Sequence, residues 1–527
     1  MAASRLEFVP FYKKAIFKRT AGNNMRSFSK NEKQLHHLAV LFCYNSSRVD
    51  LDEYLFSRKV WYDLGMSTPR CARGAHYCSQ SGCALLGNNG MLDIKFIREN
   101  PDIVKDAVKK KAMTVDVDRI LDLDEEKRET LQAVEKLRAE QNVKSHVSRT
   151  LGKFGKKEKE RIALEMRPLK EELQKQEGSL KKIEEELSVL LKQVPNIPFE
   201  NVPVGPNEKS NKVLREVGDK PKFDFEPQDY VAITEAHNWI DIKRAAKVSG
   251  SRFGYIKGDL ALLEFAIIRY ALDFLTNPEK IKEVIENCKL KIENSAFVPV
   301  LPPVMIKPRY MDAMGFLHGE AADDVYYLEK DDLYFVGTSE QSIGPMHADE
   351  VLKEEDLPLR YIGFSTCFRR EAGSYGKDTK GILRVHQFDK IEMISFSHPE
   401  KSRDEHKFLL SVNEKMMEAL GLPYRVAHIC TGDMGLAKAE QFDIETWIPS
   451  ENTYRETHSA SNITDFQARR LNIKFGKNKE YVHMLNGTVF AIGRILIAII
   501  ENYQTKDGEV NIPKALQQYI GKKKIPS

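Results

Sequence analysis

The stretch FRREAGSYGKDTKGILRVHQFDKIE, Phe368 to Glu392, decides how the chain is read. Two strand-like runs flank a polar, glycine-rich loop. Side chains alternate across a strand with period two, so in the second run Arg384, His386, Phe388, Lys390 and Glu392 share one face. Leu383, Val385, Ile391 and Met393 share the other, which reads as core. In the first run Arg369 and Glu371 share a side. One face of one expected hairpin therefore carries arginines, an aromatic ring and two carboxylates.

That set is an inventory for a nucleotide. Cations suit a polyphosphate, an aromatic plate stacks on a base, and a carboxylate accepts from an exocyclic amine. A surface ion-pair ladder explains any one of these residues but not their joint spacing.

Working outward, 527 residues exceed one core and predict two or three domains. With 30% charged residues and a net charge of +4, the chain reads as soluble and globular, with no nucleic-acid signature over its whole length. Any basic surface must be local. Seven cysteines, four of them before residue 90, suggest a reduced compartment without a disulfide framework. The longest apolar run, Val489 to Ile500, is too short to span a membrane and carries Arg494.

Residues 1–90 differ from the rest, with 13 Lys/Arg against 6 Asp/Glu. Their first 30 residues hold seven basic residues and one acid, a weak transit-peptide pattern. Cys71, His76, Cys78 and Cys83 could hold zinc, but their spacings fit no regular finger. The segment reads as an atypical extension, with a fresh start at Met91.

From Ile162 the positions Ile162, Met166, Leu169, Leu173, Gln176, Leu180, Ile183, Leu187, Leu190 and Val194 fall four, three, four, three apart, a coiled-coil seam. An earlier helix, about 116–147, shows a looser seam through Ile120, Leu123, Leu131, Val134 and Leu137. The spacing predicts a long antiparallel helical hairpin within 91–205, with Pro168 kinking the second helix or marking its start. Between Val143 and Arg161 there are seven basic residues and two acids. Lys144, Arg149, Lys153, Lys156, Lys157 and Arg161 make the tip a candidate contact for RNA phosphates, the alternative being a solvated coiled-coil end.

Residues 206–527 mix amphipathic helices with short strands, an α+β domain built on an antiparallel sheet, with a last apolar helix expected from about Val489.

Three segments now carry a resemblance. AFVPVLPPVMI (296–306), the hairpin itself, and LNGTVFAIGRILIAIIENYQ (485–504) resemble motifs 1, 2 and 3 of the class II aminoacyl-tRNA synthetases. From Met91 onward the chain is similar to the bacterial-type seryl-tRNA synthetases. Ala296 and Val489 stand where glycines are usual, and Arg370 where serine is. The resemblance implies a homodimer, L-serine, ATP and tRNA(Ser) as partners, Mg²⁺ as the cation, and tRNA(Sec) as a further acceptor. It implies that Arg369 holds the α-phosphate and the amino-acid carboxylate, that Glu371 binds the adenine amine, and that Phe388 stacks on the ring. Arg494 would cover the ring's other side and reach the γ-phosphate, with Arg384 on the phosphate tail. Arg370, Val385, Thr457 and His458 are counted with the ATP contacts. GTSE (337–340) implies Thr338, Ser339 and Glu340 at the substrate amine with Glu392, while Asn486 and Thr488 would line the hydroxyl end. YRETHSASN (454–462) implies Glu456 and Ser459 as magnesium ligands.

Physical chemistry bears on several of these independently. A guanidinium in an apolar helix needs a partner, so Arg494 calls for either a carboxylate or a bound phosphate. Two hard oxygens three residues apart, Glu456 and Ser459, suit Mg²⁺. Cys367 reads as inert core. Against the synthetase reading stand a ligase loading a carrier protein, which would lack the arm, and an inactive paralogue, which would have lost the charged pocket set. The cytoplasm is the expected location, with the mitochondrial matrix the alternative if residues 1–90 act as a transit signal.

Overall fold

The computed structural model describes residues 92–150, 155–293, 295–372 and 380–526. Residues 1–90, with the zinc candidates Cys71, His76, Cys78 and Cys83, lie outside them, as do Lys153 and the loop 373–379.

Two short helices open the described chain, α1 (Ile94–Glu99) and α2 (Pro101–Lys110). The arm follows as α3 (Val117–Thr150) and α4 (Lys156–Gln193). All ten expected seam positions, nine in α4 and Val194 just past its end, are buried or half-buried. Pro168 lies inside α4, so it does not mark the start. On α3, Leu131 is 38% exposed, while Thr130 takes the inward place between Leu123 and Val134. The seam there is looser because polar side chains occupy it, and ion pairs across the helices do part of its work. Arg119 meets Glu186 at 2.9 Å, Lys127 meets Glu184 at 3.0 Å and Arg138 meets Glu177 at 2.7 Å.

The rest is built on one eight-stranded sheet. In chain order its strands are β1 (Lys212–Val217), β2 (Val298–Val300), β3 (Leu359–Phe368), β4 (Gln387–Ser397), β5 (Tyr424–His428), β6 (Glu440–Ile448), β7 (Thr453–Thr464) and β8 (His483–Ala491). They lie in the order β1-β5-β6-β7-β8-β4-β3-β2. Every pairing is antiparallel except β2 with β3. The helices used below are α5 (Asp259–Leu275), α6 (Glu340–Ile343), α7 (Ser402–Leu420), α8 (Phe466–Leu471) and α9 (Ile492–Asn502).

One sheet face packs on α5, α7 and α9. Ile391 and Met393 of β4 join Leu263 and Ile267 of α5, Phe408, Leu409 and Met416 of α7, and Ile495, Leu496 and Ile499 of α9. The run expected to be helical from Val489 is strand to Ala491, with the helix beginning at Ile492. Val489 is the extra residue of a bulge opposite Ile391 and Glu392 and points into the core.

The strand alternation that opens the sequence reading is shorter than expected. β3 ends at Phe368 and β4 begins at Gln387, so Arg369, Glu371, Arg384 and His386 lie beyond the ladder. The stems are instead clamped once more, as Arg369 N donates to His386 O and His386 Nδ1 donates to Arg369 O, both at 3.0 Å. His386 therefore does not share the face of Phe388, and its ring packs on Phe253. Gly381, at φ +71°, closes the loop where a Cβ would lie 1.9 Å from Tyr230 Oη. That hydroxyl accepts from Ile382 N at 3.0 Å and donates to Lys380 O at 3.1 Å.

Candidate active site

On the sheet face opposite α9, side chains from β4, β7, β8 and α6 and the residues flanking β3 line a cavity of about 980 Å³. One half of it suits a nucleotide. The Arg369 guanidinium sits 5.3 Å from the Phe388 ring centre, and its Nη2 donates to Gly337 O at 3.2 Å. Arg384 meets Glu371 at 3.4 Å, and both line the wall with Val385. From α9, Arg494 Nη1 donates to Glu456 O at 2.8 Å and to Glu456 Oε2 at 3.2 Å. Arg494 is 26% exposed, so its burial is only partial, and its protein partner is the Glu456 carboxylate. The Glu456 side chain stays 49% exposed; the protein around it pushes its carboxyl up, but Arg494 outweighs this and holds it below the usual range. A bulge at Thr457 turns both Glu456 and Ser459 toward the cavity, where Ser459 Oγ lies 3.3 Å from Thr488 Oγ1.

The other half suits an ammonium group. Gly363 of β3 makes room for α6, since a Cβ there would lie 2.4 Å from Ile343. α6 thus presses Thr338 and Glu340 against β4 and β8. Thr338 Oγ1 donates to Glu392 Oε2 at 3.2 Å, and Asn486 Nδ2 donates to Glu340 Oε2 at 2.7 Å and Glu392 Oε1 at 3.3 Å. Glu392 is fully buried and paired with Lys390. Burial, and then the charge of Glu392, raise the Glu340 carboxyl above its ordinary range. Two carboxylates thus share a dry pocket with one ammonium, an arrangement that favours a further cation.

Family profiles for the "Seryl-tRNA synthetase N-terminal domain" and the "tRNA synthetase class II core domain (G, H, P, S and T)" match residues 91–198 and 326–503. A serine–tRNA ligase of Thermobifida fusca is 42% identical over 436 residues, covering 82% of this chain and 98% of that protein. The chain belongs to the seryl-tRNA synthetase family. Another serine–tRNA ligase, of Nitrosopumilus maritimus, is 39% identical over 82% of this chain and its own full length. The crystal structure of the Pyrococcus horikoshii seryl-tRNA synthetase complexed with ATP matches with a TM-score of 0.72 at 38% identity, over 82% of this chain and 99% of that one.

Within this seryl-tRNA synthetase frame, Thr338, Glu340, Arg369, Glu371, Arg384, Val385, Phe388, Glu456, Thr457, Ser459, Asn486, Thr488 and Arg494 all line the one cavity. Four expected residues do not. Arg370 turns outward, where its Nε donates to Val325 O at 2.9 Å and its guanidinium covers Tyr326. His458 faces the core against Phe490, and burial pulls its imidazole down to about 3. Ser339 is fully buried beneath the cavity, 3.4 Å from Gly363 O. Glu392 lies just behind the wall rather than in it.

Several lining residues escape sequence reasoning. Lys390 had a visible signal, since it shares a strand face with Phe388 and Glu392. Lys438, Gln441 and Gln467 reach the cavity only through the tertiary fold. So does the segment 111–115, from the N-terminal region. Lys111 is 3% exposed, and its Nζ donates to Gly435 O, Leu436 O and Lys438 O at 2.8, 3.1 and 2.6 Å. That ammonium holds a cavity wall from the far side.

The donors at Glu456 and Ser459 fit a magnesium ion. Among the described residues no group of three or more His, Cys, Asp or Glu is arranged for a metal. A cation held by this ionised carboxylate and hydroxyl would complete its shell with phosphate oxygens and water, as Mg²⁺ does.

At the arm's tip, Lys144 is tied to Glu140 and Glu165 at 3.2 Å each, and Arg161 to Glu158 at 2.5 Å. Arg149 and Lys157 are exposed. The side chain of Lys156 lies outside the described residues.

Proposed function

We propose that this protein activates L-serine with ATP to seryl-adenylate and transfers the seryl group to the 3′ end of tRNA(Ser). The observation that carries the reading is one cavity with Arg369, Glu371, Phe388 and Arg494 at a nucleotide-type end and Thr338 and Glu340 at an ammonium-type end.

In the first step a serine carboxylate oxygen bonds to the α-phosphorus and the bond to the β-phosphate oxygen breaks, so pyrophosphate leaves with the electron pair. Arg369 neutralises charge on the phosphoryl oxygens as they crowd. Phe388 and Arg494 hold the base between a ring and a guanidinium plane, and Glu371 accepts from its amine. Glu340 holds the serine ammonium, with Glu392 just behind it adding negative charge through Thr338 and Asn486. Glu456 and Ser459 would hold Mg²⁺, which supplies charge neutralisation on the phosphates when bound. In the second step the terminal ribose hydroxyl of the tRNA attacks the acyl carbonyl and AMP leaves. No side chain acts as nucleophile; catalysis is positioning and electrostatics.

Asn486 and Thr488 favour serine over alanine, because alanine leaves their polar atoms unpaired. Excluding threonine's extra methyl is worth only about 1–3 kcal/mol. The arm supplies shape and phosphate contacts to double-stranded RNA, and tRNA(Sec) is included as a second acceptor. A homodimer is supported by the exposed apolar side chains of the motif 1 segment, Val298, Leu301 and Met305. The proposed location is the cytoplasm; subcellular fractionation separates it from the mitochondrial matrix.

Serine-dependent ATP–pyrophosphate exchange, followed by tRNA charging, tests the function. Glu392→Ala removes a charged hydrogen-bonding partner and should cut exchange by about 10- to 100-fold or more with an unchanged circular dichroism spectrum. Normal exchange in that variant refutes the assignment.

A further inference from the structure

Gln467 is the second residue of α8 and is only 1% exposed. Its Nε2 donates to Glu340 Oε1 at 2.9 Å and lies 3.4 Å from Met314 O. Asn486 fills the other Glu340 oxygen. Among the described residues no lysine or arginine is paired with Glu340; the nearby ammonium, Lys390, is paired with Glu392.

The chemistry of an amide at this place is specific. A lysine in place of Gln467 would satisfy Glu340 but cancel the negative charge that a substrate ammonium needs. An apolar residue would leave a buried carboxylate oxygen without a donor, which favours its protonation. A neutral N–H donor aims the carboxylate and keeps its charge. Burial and Glu392 drive the Glu340 carboxyl upward, while the Gln467 hydrogen bond and the more distant Lys390 and Lys438 oppose them.

We propose that Gln467 is a positioning residue for amino-acid recognition, whose side-chain amide holds the Glu340 carboxylate toward the substrate ammonium and so sets the affinity for serine independently of ATP. This rests on the serine-activating reading above. Glu340 and Gln467 lie 127 residues apart, so their pairing is a product of the fold.

The test is serine-dependent ATP–pyrophosphate exchange on the full chain between pH 6 and 8, with thermal melting in parallel. Gln467→Met should raise the serine KM by about 10-fold or more, leave the ATP KM within twofold, and show a defect that grows as the pH falls, because the undonated carboxyl takes up a proton. Gln467→Glu keeps the shape and should reverse that trend. At low pH the new carboxyl still donates its proton to Glu340, and at high pH the two charges repel. If Gln467→Met does not fold, Gln467→Glu carries the decision alone. A folded variant with an unchanged serine KM, or serine and ATP KM values that rise together without a pH trend, overturns the proposal. Absence of serine-dependent exchange in the wild type removes the serine reading itself, and this inference with it.

Discussion

Glu340 shows how a single side chain trades stability for recognition. Its folded carboxyl lies above the ordinary value of 4.5, so between that value and its folded one the native state holds more proton than the unfolded state. Stability therefore falls as the pH rises through this window, and the ionised group is a net cost at neutral pH when no substrate is bound. Glu340→Gln removes the charge. The new amide can be accommodated because Asn486 Oδ1 has no donor among the described residues and can turn to accept. Melting should occur at a higher temperature than in the wild type at pH 7.5, with the gain shrinking toward pH 4.5, while serine-dependent exchange is lost. A lower melting temperature at pH 7.5 would contradict this linkage. The strand face of Glu392 was legible from parity alone. The pairing of Gln467 with Glu340 was not, because nothing within α8 distinguishes an inward amide from an ordinary buried one.

At the scale of elements, the arm separates from the chemistry. Its seam repeats every three and four residues, so its existence was readable from α4 alone. The use of its basic tip was less so. Lys144 faces the seam between two glutamates, and Arg161 is tied to Glu158, so neither presents an unshared charge. Arg149 and Lys157 remain exposed. Removing residues 143–161 should leave serine-dependent exchange intact and abolish tRNA charging; charging that survives would make the arm a structural element only. Arg149→Ala with Lys157→Ala should weaken tRNA binding and reduce its salt dependence by about two units of slope at most, whereas Lys144→Ala should change it less. Filter binding across a salt series reads both.

For the whole molecule, the arm and the catalytic sheet meet at a wall of the cavity. Lys111, just past α2, grips three carbonyls of the 435–438 segment, and burial lowers its ammonium well below the ordinary value. From α4, Lys192 reaches Asp312 at 2.7 Å, and Arg470 of α8 donates to Lys192 O at 3.0 Å. Lys111→Met removes a donor from three half-buried carbonyls, of which Leu436 O keeps Asn196 N, and a stranded buried acceptor is worth about 1–3 kcal/mol, though relief of ammonium burial offsets part of this. The melting temperature should fall, and amide hydrogen exchange should speed at 435–438 before it does so in α9. Unchanged protection at 435–438 would show that these carbonyls find water instead.

The sequence by itself determined the arm, the α+β class and most of the nucleotide half, because helix and strand periods are local and Arg369, Glu371 and Phe388 sit within one short segment. It overreached where regular alternation was extended past the ends of β3 and β4, and it placed His458 in the cavity although a bulge at Thr457 sends that ring into the core. Only the tertiary structure decided that Arg494 meets Glu456, that Gln467 meets Glu340, and that Lys111 closes a wall of the same cavity. Those contacts join residues tens to hundreds of positions apart. No local period encodes them; they exist because packing a sheet between helices brings distant polar groups into one dry space, where each must find a partner.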